Sequence, residues 1–239
     1  MSPVEPRGSR YVLPDLRGLP PGEELVAVGG ELTPAMLLAG YRAGLFPMPE
    51  GRLLGWWSPD PRGVLVPGQV HVGRSLRRAL GRFTVSIDRR FEEVVAACAD
   101  PGRPHGWISP GYRVAYAGLH ELGWAHSVEV WDEAGGLAGG LFGVEVGGLF
   151  AAESKFHLAT DASKVAVVAL ADVLAAAPAP RLIDVQWRTP HLTSLGVVEL
   201  PRTTYLDLVA RLVTQPPVLA GGVPGAQRGA PSRIRWRSA

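Results

Sequence analysis

Two stretches of this chain set polar, chemically capable side chains inside otherwise apolar runs. In Leu182-Ile183-Asp184-Val185-Gln186-Trp187, Asp184 and Gln186 fall two apart, on one face of an apolar strand. In residues 149–157, strict alternation puts Phe150, Ala152, Ser154 and Phe156 on one face. Ala151, Glu153, Lys155 and His157 then fall on the other. A buried carboxylate is costly unless it is paired or used. Glu153, Asp184 and Gln186 facing a common cleft would suit a cationic group; the plain alternative is a satisfied structural network.

The second signal is aromatic and basic. Trp56 and Trp57 lie in a proline-flanked segment, and each indole N–H needs a partner if buried. Exposed, such rings stack on unpaired bases, worth about 1–3 kcal/mol each. Trp107, before Ile108 and Ser109, is a further loop aromatic. Arg74, Arg77 or Arg78, and Arg82 have the spacing of one helix face that could follow a phosphate backbone. They belong to a stretch, 62–90, with seven arginines and a single acid, Asp88, which reads as a basic surface for an anionic partner.

Other chemistries find no residues. Among the classical motifs, the chain has no GxSxG, P-loop, GxGxxG or HExxH string. Its single cysteine, Cys98, and six scattered histidines offer no metal set, so neither metal nor cofactor is expected. His126 and Ser127 are strand neighbours pointing to opposite faces, which disfavours a nucleophile pair. With 239 residues, 46% hydrophobic and 19% charged, the chain can bury a real core. The absence of an apolar leader or membrane-length run points to a cytoplasmic protein. The formal charge of +2 falls to −2 without Arg228, Arg233, Arg235 and Arg237 of a Pro/Gly-rich tail, 215–239, expected to stay unfolded. Asn is absent and all but two of the 24 basic residues are arginine, a compositional bias that leaves Lys155 and Lys164 conspicuous.

The elements that must position these residues follow from local signals. Residues 1–24 read as irregular, and Thr33-Pro34 opens a helix to about Ala43. Residues 44–73 read as an aromatic, turn-rich loop, followed by a basic helix at 74–81, a strand at 83–87 and helices at 89–99 and 110–122. A strand at 125–131, a hairpin of 137–146 and 149–157 about Gly147-Gly148, a helix at 162–176 capped by Asp161 or Ser163, a strand at 182–187 and a helix near 203–213 complete the chain. The second half therefore suggests a mixed sheet with helices on its faces, an α+β class.

At the chemically interesting residues the chain resembles the leucyl/phenylalanyl-tRNA–protein transferase family. The strings are Ala27-Val28-Gly29-Gly30-Glu31-Leu32, Tyr41 through Pro47, Trp56 through Arg62, His71 through Leu76, Trp107-Ile108-Ser109 and His126 through Trp131. Glu153-Ser154, Ala162-Ser163-Lys164, Leu182-Ile183-Asp184 with Gln186, and Pro190-His191-Leu192 continue them. The resemblance implies a small N-terminal α/β domain, 1–62, and an acetyltransferase-like (GNAT) mixed-sheet catalytic domain, 63–214. It implies transfer of Leu, Phe and, less well, Met from aminoacyl-tRNA to acceptor proteins with N-terminal Arg or Lys, an N-end rule degradation tag, by a monomer that needs no membrane. Asp184 and Gln186 would be the catalytic pair and Glu153 a site glutamate. Trp56, Trp57 and Trp107 would hold the terminal adenosine, with Ser163 near the aminoacyl group. Where the family carries methionine, Lys155 stands, expected either to reach out to solvent or to pair with Glu153 on the same strand face. An acyl-CoA-dependent acetyltransferase and a non-catalytic RNA-binding module are the competing readings.

Overall fold

The computed structural model describes residues 2–103 and 106–219. Thr33 accepts a bond from the Met36 N–H and Pro34 occupies the first turn, so helix α1 (Pro34–Arg42) starts where the capping signal places it. It packs beside a three-stranded sheet of β1 (Leu25–Val28), β2 (Phe46–Glu50) and β3 (Leu53–Trp57), in the order β1-β3-β2. The segment 44–73 is thus not the loop its prolines suggested. Pro47 and Pro49 lie in β2, an edge strand, where a missing N–H costs no ladder bond on the open side. Gly40 lets α1 approach that sheet, for a Cβ there would fall on the Trp56 ring.

The larger, mixed sheet has seven strands. They are β4 (Arg62–Leu65), β5 (Thr84–Ile87), β6 (Ala125–Trp131), β7 (Leu137–Val146), β8 (Leu149–His157), β9 (Leu182–Gln186) and β10 (Val198–Leu200). Their order is β10-β4-β9-β8-β7-β6-β5. Helices α3 (Phe91–Cys98), α4 (Pro110–Glu121) and α7 (Arg202–Leu212) join α1 on one face, packing with Phe142, Ala151 and Phe156. The short α2 (Arg74–Leu80) and the apolar α5 (Ala162–Ala175) cover the other, against Leu141, Phe150 and Ile183. A last turn of helix, α6 (Pro190–Thr193), follows β9. The α+β class and the mixed sheet agree with the sequence reading, and the β7–β8 hairpin turns at Gly147, φ 63°, as its Gly-Gly signal requires.

Two irregularities shape the site. Phe142 pairs with Ser154 but Gly143 pairs with Ala152, so Glu153 is an extra residue, a bulge. The bulge reverses the phase of β8: Phe150 belongs to the α5 side, whereas Phe156 belongs to the opposite side. The strict alternation assumed over 149–157 therefore fails at its middle. Lys155, opposite Leu141, faces α5 and not the side of Glu153. Secondly, β8 and β9 pair in parallel only from Leu149↔Leu182 to Ala151↔Asp184. Beyond these residues both strands run on and separate, leaving a wedge-shaped opening.

The first residues of the expected unfolded tail are docked. Val218 and Leu219 donate their N–H groups to the Glu145 carboxylate at 2.7 and 2.9 Å, because a buried acid needs donors. Residues 220–239 lie outside the described residues. No helix among the described residues is long and apolar enough to cross a membrane.

Candidate active site

The wedge between β8 and β9 gathers the polar residues singled out above. Asp184, wholly buried, is saturated. Its carboxylate takes a two-pronged contact from Arg62 (Nε to Oδ1 2.8 Å, Nη2 to Oδ2 2.6 Å), a bond from the Tyr205 hydroxyl at 2.8 Å and the Gln186 N–H at 2.9 Å. Arg62 itself is 0% exposed and lies over the Phe46 and Tyr205 rings. Burial opposes its charge, but Asp184 and Tyr205 outweigh that and hold its pKa above the ordinary value. Arg62 therefore leaves the basic surface to which its sequence neighbourhood assigned it. Arg74, Arg77, Arg78 and Arg82 remain exposed, on and just after α2.

Gln186 is held by Asp184 in a left-handed conformation, φ 60°, which a residue with a Cβ adopts only under constraint. In the amide orientation that satisfies it, Nε2 donates to the Ala152 carbonyl at 3.0 Å, across the mouth of the wedge. Next to Ala152 stands Glu153, whose Oε2 accepts the Tyr116 hydroxyl at 2.6 Å, and Tyr116 in turn meets the Tyr41 hydroxyl at 2.9 Å. The other oxygen, Oε1, is buried without a hydrogen-bond partner. Burial pushes the Glu153 carboxyl up to about 7; the Tyr116 and Tyr41 hydroxyls pull the other way, and the nearby Asp184 charge adds to the rise. Glu153, Asp184 and Gln186 are thus brought to one place.

The tryptophans divide. Trp56 is 1% exposed, its N–H bonded to the Gly29 carbonyl, and is a core residue with no free face for a base. Its neighbour Trp57 points the other way and stays half-buried, ring centroids 6.4 Å from Trp187, the residue after Gln186. Trp107 is half-buried against Tyr112 and Tyr116, hence beside Glu153. Ser163 is buried in the first turn of α5. Asp161 precedes that helix in a left-handed conformation and gives no side-chain cap bond.

The sequence reading had missed Arg62, Tyr116, Tyr205 and Trp187 as site components. Only Arg62 left a signal, since an apolar strand holding an aspartate demands a buried cation somewhere.

Comparison with known proteins then decides the family. A sequence profile described as leucyl/phenylalanyl-tRNA protein transferase matches residues 64–210, and one for the N-terminal domain of that protein matches 30–60. The chain belongs to this family. Leucyl/phenylalanyl-tRNA–protein transferase of Aromatoleum aromaticum is 50% identical over 202 residues, covering 81% of this chain and 83% of its own. That of Anaeromyxobacter sp. is 48% identical over 217 residues, covering 88% and 90%. Among solved structures, a GCN5-related N-acetyltransferase from Kribbella flavida aligns with a TM-score of 0.37 and 11% identity over 68% of this chain and 58% of its own. Within the transferase family's matched region lie every wedge residue named above, from Arg62's strand neighbour Val64 to Tyr205.

Proposed function

We propose that this protein moves leucine or phenylalanine, and methionine less readily, from aminoacyl-tRNA to the N-terminal Arg or Lys of acceptor proteins, acting as a single copy in the cytoplasm. The observation that carries the mechanism is the pairing, at one opening, of a buried Glu153 oxygen without a partner and a Gln186 amide fixed by Asp184.

An aminoacyl ester is already activated, so the enzyme has to align an amine with the carbonyl, take a proton and stabilise the oxyanion. Gln186, its nitrogen engaged by Ala152, offers its amide oxygen to an N–H of the neutral acceptor amine and so aims the nitrogen lone pair at the carbonyl. As the C–N bond forms, Glu153 takes the amine proton. It then passes a proton to the departing ribose oxygen as the C–O bond breaks. A carboxyl with a pKa of about 7 can serve in both directions near neutrality. Asp184 has no free oxygen for the amine; it is a positioning residue, holding Gln186 through its backbone N–H. Trp57 with Trp187 on one side and Trp107 on the other form the aromatic walls for the terminal adenosine. The exposed arginines of α2 and Arg82 meet the tRNA backbone.

Transfer of radiolabelled leucine from charged tRNA to a peptide beginning with Arg tests this reading. Product that disappears in Glu153→Gln is expected. Absence of product from the wild-type protein, or acetyl transfer from acetyl-CoA instead, would refute it.

A further inference from the structure

On the α5 face of the sheet, behind the wedge, basic groups converge with little acid to balance them. The bulge puts Lys155 and His157 on this face. Lys164 comes from the first turn of α5, its Nζ 3.6 Å from Asp161 Oδ1. His191 comes from α6, and its Nε2 is buried without a hydrogen-bond partner. Burial first, and then the charges of Lys155, Lys164 and His157, hold the His191 imidazole below its ordinary value; only Asp161 opposes them. Lys155 is also held down by burial, and the groups that act on it are Cys98 and Arg103. Burial pushes the Cys98 thiol up to about 11, so it supplies no negative charge near neutrality.

A half-buried lysine whose surroundings include a second lysine, two histidines and one acid stands in unfavourable self-repulsion unless an anion joins it. The first turn of α5, a helix of 14 residues whose Asp161 makes no side-chain cap bond, adds its positive end to the same place. We propose that Lys155, Lys164 and His191 form a binding site for an oxyanion, filled during the reaction by a group of the aminoacyl-tRNA. Two groups of that substrate have this chemistry: a phosphodiester near the 3′ end, or the carboxylate of an acidic aminoacyl side chain. The site itself stands on the local geometry; only the source of the anion rests on the transferase reading.

The test begins with inorganic phosphate, titrated by calorimetry into the wild-type protein, Lys155→Met, Lys155→Arg and His191→Ala, with circular dichroism to verify folding. Saturable binding is expected in the wild type, weakened about tenfold by Lys155→Met and restored by Lys155→Arg, the size of a lost charge-assisted contact. Transfer kinetics with tRNA carrying leucine or glutamate then separate the sources. For a phosphodiester, Lys155→Met lowers kcat/KM for both tRNAs alike and reduces the salt dependence by about one ion. For a side-chain carboxylate, only the glutamyl substrate suffers. A wild-type protein that does not bind phosphate, or variants that bind it equally well with unchanged kinetics, would overturn the site. Phosphate binding lost in the variants of a protein that transfers no amino acid at all would keep the site and sink the transferase reading.

Discussion

Replacing Arg62 with methionine probes the buried pair most directly. Both partners are inside, with side-chain exposures of 0% and 1%, and the contact is two-pronged at 2.8 and 2.6 Å. Truncation would leave the Asp184 carboxylate with the Tyr205 hydroxyl and one backbone N–H, too little to hold a buried charge. Breaking a buried pair in this way costs about 3–5 kcal/mol. At about 2–4 °C per kcal/mol for a chain of this size, the melting temperature should fall by about 6–20 °C. The double variant Arg62→Met/Asp184→Leu removes the orphaned charge and should be more stable than Arg62→Met by about 2 kcal/mol or more, because apolar replacement of a buried pair is often close to neutral. It should nevertheless transfer no amino acid, since Gln186 loses the acceptor that fixes its backbone. Urea unfolding followed by tryptophan fluorescence gives the energies, and the radiolabel assay gives the activity. Arg62→Met within 1 kcal/mol of the wild type would refute the electrostatic argument; full activity in the double variant would refute the positioning role of Asp184.

Tyr116→Phe removes the donor that lowers the Glu153 pKa, so the rising limb of kcat/KM, where the carboxylate form takes over above about pH 7, should move to higher pH; superimposable profiles would count against Glu153 as the base. Trp57→Ala should weaken aminoacyl-tRNA binding about 5- to 150-fold, the equivalent of one lost stacking contact, in a filter-binding assay. Gly40→Ala should instead cost about 1–3 kcal/mol of stability by overpacking Trp56, with little change in tRNA affinity. Gln186→Gly should abolish transfer at little cost in unfolding free energy, because relief of the left-handed strain, at least about 1 kcal/mol, offsets the lost amide bond. Arg77→Ala should lower the slope of log affinity against log salt by about 1.

Periodicity and capping made most of the second half legible. The strand at 125–131, the hairpin strands and the long apolar helix lie where alternation, Gly-Gly and helical patterning put them. The small sheet was obscured because Pro47 and Pro49 mimic a loop, and only the sheet order reveals that β2 is an edge. At the site, residue type pointed correctly to an acid and an amide inside an apolar strand. Their geometry did not follow from type: Arg62 reaches Asp184 across 122 positions of sequence. The two adjacent tryptophans look alike in sequence, yet strand pleating sends one into the core and one to the opening.

The bulge at Glu153 has an electrical consequence. In a regular strand, Glu153 and Lys155 would share a side and cancel each other, leaving a neutral pair. One additional backbone residue places the thickness of the sheet between them. A single strand thereby keeps a proton acceptor on one surface and a cation on the other, two opposite charges insulated by the backbone that joins them.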